Sequence, residues 1–256
     1  MTPRGALAAL ALLTAACGAS PTTGAGPATG AGPASGAGPS PSGSVASPST
    51  AEYACHDHKV PLSVLTEGRP ATGLGPDGLA ALKGEEVRRP PDLERWRIVE
   101  EGPERVALIA GRDEDGRRMP GGEYRFLAVE RFGPRQADGR RGWHMRSSGR
   151  CDLRRELGGG LGSAELALES VSGSTVRLKV TEIACASGRS ARGRIEVAGL
   201  EENDREVRLL IGVSRAPGRA QTCQGNPRTP FTVELSAPLG DRGLLDAAIH
   251  PVRQIR

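Results

Sequence analysis

From residue 51 onward the alternation of apolar and polar positions is mostly that of strands. Trp96, Ile98 and Val99, a Gly102-Pro103 pair, then Val106, Leu108 and Ile109 predict a hairpin over residues 94–111. The stretches Tyr124 to Arg131 and Gly142 to Ser147 continue it as a meander, separated by turns rich in Gly, Asp and Arg. After Gly158-Gly159-Gly160 a second set begins: Ala164, Leu166 and Leu168, then Val176, Leu178 and Val180. It ends with Val207, Leu209, Ile211 and Val213, and with Phe231, Val233 and Leu235. Alternation of this kind puts one face of each strand in a core and the other in water, as an antiparallel sandwich requires. A single short helix is predicted around Pro76 to Lys83. The fold class that follows is mainly β: a small antiparallel module over residues 51–157, then a β-sandwich-like, immunoglobulin-like module over residues 158–256.

The first fifty residues have a different pattern. Arg4 is followed by an apolar stretch of twelve residues, Gly5 to Ala16, that ends in small residues before Cys17. Twelve residues make about 18 Å of helix, too short for ~30 Å of hydrocarbon, so residues 1–16 read as a signal peptide. Residues 18 to 50 contain only Gly, Ala, Ser, Thr and Pro apart from Val45, in an imperfect hexamer repeat starting at Gly24, Gly30 and Gly36. Such a segment has nothing to bury against the entropy of the chain. As a flexible coil it reaches roughly 30 Å, which makes residues 17–50 a spacer.

The run Leu13-Thr14-Ala15-Ala16-Cys17 resembles the lipobox of bacterial lipoproteins. That resemblance implies a diacylglyceryl group on the Cys17 thiol, cleavage just before it, and an address on the extracytoplasmic face of the cell membrane. Thr14 stands where the lipobox usually has Leu. Thr14 and Ala16 also satisfy ordinary signal peptidase, whose cut after Ala16 would release a soluble product.

Five cysteines leave one over if the rest pair. Cys17 is the spare, and in an oxidising compartment the four others read as two disulfides. Of the three connectivities that four cysteines allow, Cys55 with Cys151 and Cys185 with Cys223 places each pair at the two ends of one module.

Composition narrows the function. The net charge of +4 includes Arg4, so the rest of the chain carries +3, spread over alternating acids and bases. Acid-interrupted runs such as Arg112-Asp113-Glu114-Asp115 do not track a phosphate backbone, and no nucleic-acid partner is expected. Trp96 and Trp143, both in the first module, are needed for its core before they can serve as sugar platforms.

The one cluster of metal-ligand type is Cys55-His56-Asp57-His58. On a strand His56 and His58 would share a face about 6.5 Å apart, and the further ligands available are His144 and His250. The competing reading is that Cys55 is in a disulfide and its neighbours form a solvated turn; no metal or other cofactor is assigned. Gly158 to Gly162 lacks the Gly-Lys-Ser/Thr of a phosphate loop and reads as an inter-module link. Gly-x-Ser-x-Gly, Ser-x-x-Lys, His-Glu-x-x-His and Cys-x-x-Cys are all missing, so no catalytic residue is assigned and the chain is read as a non-enzyme. Cys223 to Pro230 and Pro238 to Arg242 are recognition loops in one reading. In the other they are turns in which Asp241 pairs with Arg242 or caps.

The segments Thr181-Glu-Ile-Ala-Cys-Ala-Ser-Gly188, Cys223-Gln-Gly-Asn-Pro-Arg-Thr-Pro230 and Pro238-Leu-Gly-Asp-Arg242 resemble a group of uncharacterised actinobacterial secreted proteins and lipoproteins. The Trp96-Arg97 hairpin and the stretch from Gly142-Trp143 to Cys151 resemble it more loosely. The likeness implies an envelope protein with Cys185 bonded to Cys223 and carries no activity. The expected function is a lipid-anchored surface module that binds a protein or cell-wall partner or assists envelope assembly. The alternatives are an envelope-acting enzyme without a recognisable motif and a metal-binding lipoprotein using His56 and His58.

Overall fold

A computed structural model describes residues 51–111, 121–218 and 220–256. Cys17, the apolar stretch, the spacer and the Arg112–Asp115 run lie outside the described residues.

In chain order the elements are β1 (Tyr53–Cys55), β2 (His58–Lys59), α1 (Ser63–Glu67), α2 (Pro76–Ala81), β3 (Trp96–Glu101), β4 (Arg105–Ala110), β5 (Tyr124–Arg135), β6 (Arg141–Cys151) and β7 (Leu153–Arg155). The second half adds β8 (Leu161–Ser172), β9 (Thr175–Glu182), β10 (Ile195–Glu202), β11 (Glu206–Ser214), β12 (Thr229–Glu234), β13 (Gly243–Asp246), β14 (Ile249–His250) and β15 (Arg253–Gln254). The protein is mainly β, as the alternation predicts.

β3 to β6 form a four-stranded antiparallel meander whose first hairpin turns at Gly102-Pro103, where the sequence places it. β4 is buried on both faces. Val106, Leu108 and Ala110 pack with Trp96, Ile98, Trp143 and the α2 side, while Ala107 and Ile109 pack with Phe126, Tyr53, Cys55 and Leu153. That double burial explains why its apolar run is nearly continuous rather than alternating. α2 begins with Pro76 at its first turn and buries Gly78 and Ala81, close to the expected helix; α1 carries no buried residue and leaves no periodic signature.

Both Trp side chains are in the core, at 5% and 7% exposure, which removes them as binding platforms. Arg131 crosses that core with its guanidinium 4.2 Å from the Trp143 ring centre, and it donates to the carbonyls of Pro103 and Arg141.

In the second half, β8 turns the corner between two layers. Its first residues, Leu161 to Ser163, pair with β11, and Ala164 onward pairs with β9, which in turn pairs with β12. The facing layer is β10-β11-β13-β15. Val176, Leu178 and Val180 from β9 meet Val207, Leu209, Ile211 and Val213 from β11 in one core, with Val233, Leu244 and Ile255 closing it. This is sandwich packing, with one departure from the antiparallel expectation: β13 runs parallel to β11, Val207 opposite Leu244. Alternation fixes which face of a strand is buried and leaves its direction open.

A small sheet in the order β14-β7-β1-β2 draws on both halves of the chain, with Ile249 opposite Arg154 and Tyr53 opposite Arg155.

Candidate functional site

Both expected disulfides are present. Cys55 and Cys151 lie 5.8 Å apart at Cα, and Cys185 and Cys223 lie 4.6 Å apart. The first pair is deep in the core; of the second, Cys185 is half-buried and Cys223 exposed.

The histidine cluster does not form as a strand would present it. Cys55 faces His58 across β1 and β2, and His56 and Asp57 are the two residues of the turn between them, with φ of 46° and 66°. Two consecutive positive φ values are the signature of a type I′ hairpin turn, so His56 lies in the turn rather than on a strand, with its ring 6.2 Å from the Phe126 ring that His58 also meets. His58 packs on the Phe126 ring at 5.2 Å, where burial and the charge of Arg105 hold its pKa below the ordinary histidine value. His144 lies against Phe132 and 3.3 Å from a Glu85 oxygen, and His250 against Tyr53 and Tyr124. Among the described residues, the group with metal-ligand atoms in mutual reach is Cys55, His56 and Cys151, and two of those three are disulfide sulfurs rather than thiolates.

The two candidate recognition loops are held by internal bonds. Asn226 donates through Nδ2 to the carbonyls of Glu182 and Ala184, tying the Cys223 loop to the Cys185 loop. Arg242 reaches Glu202 at 3.0 Å and the carbonyls of Ala237 and Pro238, so its acidic partner is Glu202 and not the adjacent Asp241.

The concave regions among the described residues include two that touch β7. A groove of about 1190 Å³ is bounded by the His56-Asp57 turn, β7, the Gly158–Gly160 turn and Ile183 to Cys185. The three glycines have φ of 72°, 57° and 75°, a left-handed run between β7 and β8 that would strain any side chain. The groove wall mixes Arg150, Arg154 and Arg155 with Asp57, Asp152, Glu156 and Glu165, so neither sign dominates.

The second region is a pocket of about 240 Å³ under the C-terminal strands, lined by Arg154, Glu165, Lys179, Arg228, Asp246 and Arg253 with an apolar wall that includes Leu166 and Ile249. Asp246 is 6% exposed and accepts a hydrogen bond from the Ala248 N–H; burial raises its pKa above the usual aspartate value. Burial likewise lowers the pKa of Arg154, whose Nη1 donates to the Ala164 carbonyl. Arg253 Nη2 stands 2.9 Å from an Asp152 oxygen, an ion pair whose alignment leaves that buried nitrogen without a hydrogen bond. The sequence gives no hint of this cluster. Its members come from β7, β8, β9, the loop before β12, β13 and β15, and no local spacing relates them.

Comparison with family models, with curated proteins and with solved structures found no match to this chain.

Proposed function

We propose that the protein is an exported actinobacterial lipoprotein, held by acyl chains on Cys17 at the outer face of the cell membrane, whose β modules form a non-catalytic binding or accessory unit of the envelope. The observation that carries this reading is the cysteine balance. All four cysteines of the described fold are consumed in two disulfides, and the fifth stands at the end of a twelve-residue apolar stretch beside small residues. Disulfides of this kind persist in oxidising compartments. The spacer that follows gives the folded part a reach of roughly 30 Å from the surface. Two or more acyl chains hold a protein stably where one does not. The binding role is supported by the open groove at the junction of the two halves and by the absence from the sequence of the nucleophile and metalloprotease motifs.

The test is mass spectrometry and cell fractionation of the full chain expressed in an actinobacterial host, beside a Cys17→Ala variant. A mature chain beginning at acylated Cys17 in the membrane fraction, with the variant released or left unprocessed, is the expected result. A wild-type chain cleaved before an unmodified Cys17 and recovered in the medium overturns the tether.

A further inference from the structure

The hairpin that joins β5 to β6 runs past the sheet that supports it. β4 pairs with β5 from Ala110 opposite Arg125 to Arg105 opposite Glu130; beyond that point β5 has β6 as its strand partner, with Phe132 opposite Gly142 and Arg135 opposite Arg141. Residues 132–141 are all exposed, the longest such run among the described residues. A bare two-stranded ribbon is marginal in water, and this one is fastened at both ends. At its base Arg131 lies over the Trp143 ring. At its tip the Gln136 N–H donates to the Arg140 carbonyl at 2.7 Å, Gly139 turns the chain at a φ of 77°, and the Arg135 guanidinium donates to the Gly139 carbonyl.

The arm also holds the charge excess of the chain. Four arginines, Arg131, Arg135, Arg140 and Arg141, against one acid, Asp138, give it a net +3, while the whole chain has +4 and one of those charges is Arg4. Everything else balances, so the positive excess of the folded part is gathered on one protrusion. Asp77 stands 3.6 Å from Arg131 and 3.5 Å from Arg140. Arg135 and Arg141 have no carboxylate partner among the described residues. Phe132 packs on the His144 ring at 4.3 Å and is still 43% exposed, which adds an aromatic surface to the same arm. Pro134 and Ala137 are apolar too, and Gln136 is the one neutral polar side chain between Phe132 and Arg141.

We infer that the β5–β6 arm docks on an anionic lipid surface, its arginines on headgroup phosphates and Phe132 at the boundary with the acyl chains. Guanidinium groups pair with phosphate oxygens through parallel N–H donors, and their apolar stems let them lie along a lipid boundary with the charge in water. Basic side chains gain from a negative membrane surface, and aromatic rings concentrate at the membrane–water boundary. A soluble polyanion would satisfy the arginines and leave Phe132 unused, whereas a lipid surface takes both. Because the arm is already ordered, docking orders little more of the chain. The contact rests on the proposed membrane address for its biological sense: a spacer reaching roughly 30 Å lets the fold return to the surface that holds it. A basic patch added to acyl chains strengthens attachment and selects the side of the fold that meets the membrane.

The experiment measures co-sedimentation of the full chain with vesicles of phosphatidylglycerol mixed with phosphatidylcholine, and with vesicles of phosphatidylcholine alone. Every form carries Cys17→Ala, so no acyl chain contributes and the outcome is independent of the tether. Arg140→Gln/Arg141→Gln should lower partition onto the anionic vesicles about tenfold or more and leave that onto neutral vesicles unchanged. Arg140→Lys/Arg141→Lys should retain most of the binding, since the arm keeps its charge. Phe132→Ser should lower vesicle binding and leave any affinity for soluble inorganic polyphosphate as it was. An anionic-vesicle affinity untouched by Arg140→Gln/Arg141→Gln, or a loss of equal size on neutral vesicles or in the lysine variant, overturns the assignment. Binding indifferent to Phe132→Ser and matched by polyphosphate makes the arm a general polyanion site and overturns the lipid surface as its partner. Cys17 found unmodified in cells would refute the tether and leave the vesicle result standing.

Discussion

Arg194 grips Glu182 with both arms of its guanidinium: Nη1 donates to Oε1 at 3.0 Å and Nη2 to Oε2 at 2.5 Å, and the Glu182 side chain is only 3% exposed. The pair joins the end of β9 to the chain entering β10, and Arg194 also donates to the Ser214 carbonyl of β11. It therefore pins the base of the Cys185–Cys223 loop system to both layers of the sandwich. Removing one partner of a buried pair strands the other charge, at a cost of about 3 to 5 kcal/mol. Arg194→Ala should lose stability in that range by chemical denaturation. Arg194→Lys should recover only part of it, because an ammonium cannot reproduce the two-pronged geometry.

The two disulfides should differ in access to reductant. Cys223 is exposed and Cys185 half-buried, whereas Cys55 and Cys151 are at 1% and 6% exposure. Thiol exchange requires approach of a thiolate to sulfur. Under mild reductant, alkylation and peptide mapping should label Cys185 and Cys223 first. The chain-entropy model assigns about 4 to 5 kcal/mol to a bridge enclosing a loop near 100 residues and about 3 to 4 kcal/mol to the shorter one, so a Cys55→Ala/Cys151→Ala double variant should unfold at lower denaturant than Cys185→Ala/Cys223→Ala.

The turn between β1 and β2 holds His56 and Asp57 in a conformation better suited to Asn-Gly. Asp57→Gly should therefore stabilise the protein by roughly 0.5 to 1 kcal/mol, the gain expected when a residue with positive φ is replaced by glycine, less the extra entropy glycine gives the unfolded chain. A loss of stability would mean that the Asp57 side chain contributes more than its backbone strain costs.

Asp246 gives a pH dependence of defined sign. Burial raises its pKa in the fold, so the folded state favours its protonated form, and its contribution to stability falls as pH rises from near 3.8 through the folded-state pKa. Asp246→Asn keeps an oxygen for the Ala248 N–H and discards the desolvated charge. The variant should be more stable than wild type at pH 7, and the difference should shrink toward pH 4 in parallel urea titrations. A constant difference at the two pH values would show that the Asp246 charge is fully compensated by its neighbours.

Gly84 marks where β6 is approached by backbone. A Cβ there would sit 2.6 Å from the Trp143 carbonyl oxygen, which accepts the Glu85 N–H. Gly84→Ala should break that contact and destabilise the first module by about 1 to 3 kcal/mol, visible as a lower thermal midpoint.

Much of this protein was legible in its sequence because the relevant physics is local or combinatorial. Period-two alternation reports burial of one strand face whatever the strand pairs with, so β9 could be placed before its partners were known, and the apolar runs on either side of Gly102-Pro103 marked the β3–β4 hairpin. Four cysteines in two stretches leave few pairings, and one of them put each bond within a module. The tertiary structure decided what sequence spacing does not encode. It set β13 parallel to β11, turned His56 out of a strand into a type I′ turn, and gave Arg242 to Glu202 rather than to its neighbour Asp241. It also assembled Arg154, Lys179, Arg228, Asp246 and Arg253 around one pocket from five separate segments. Contacts between residues distant in the chain depend on how sheets stack and cross, and a pattern with a period of two residues carries no record of that.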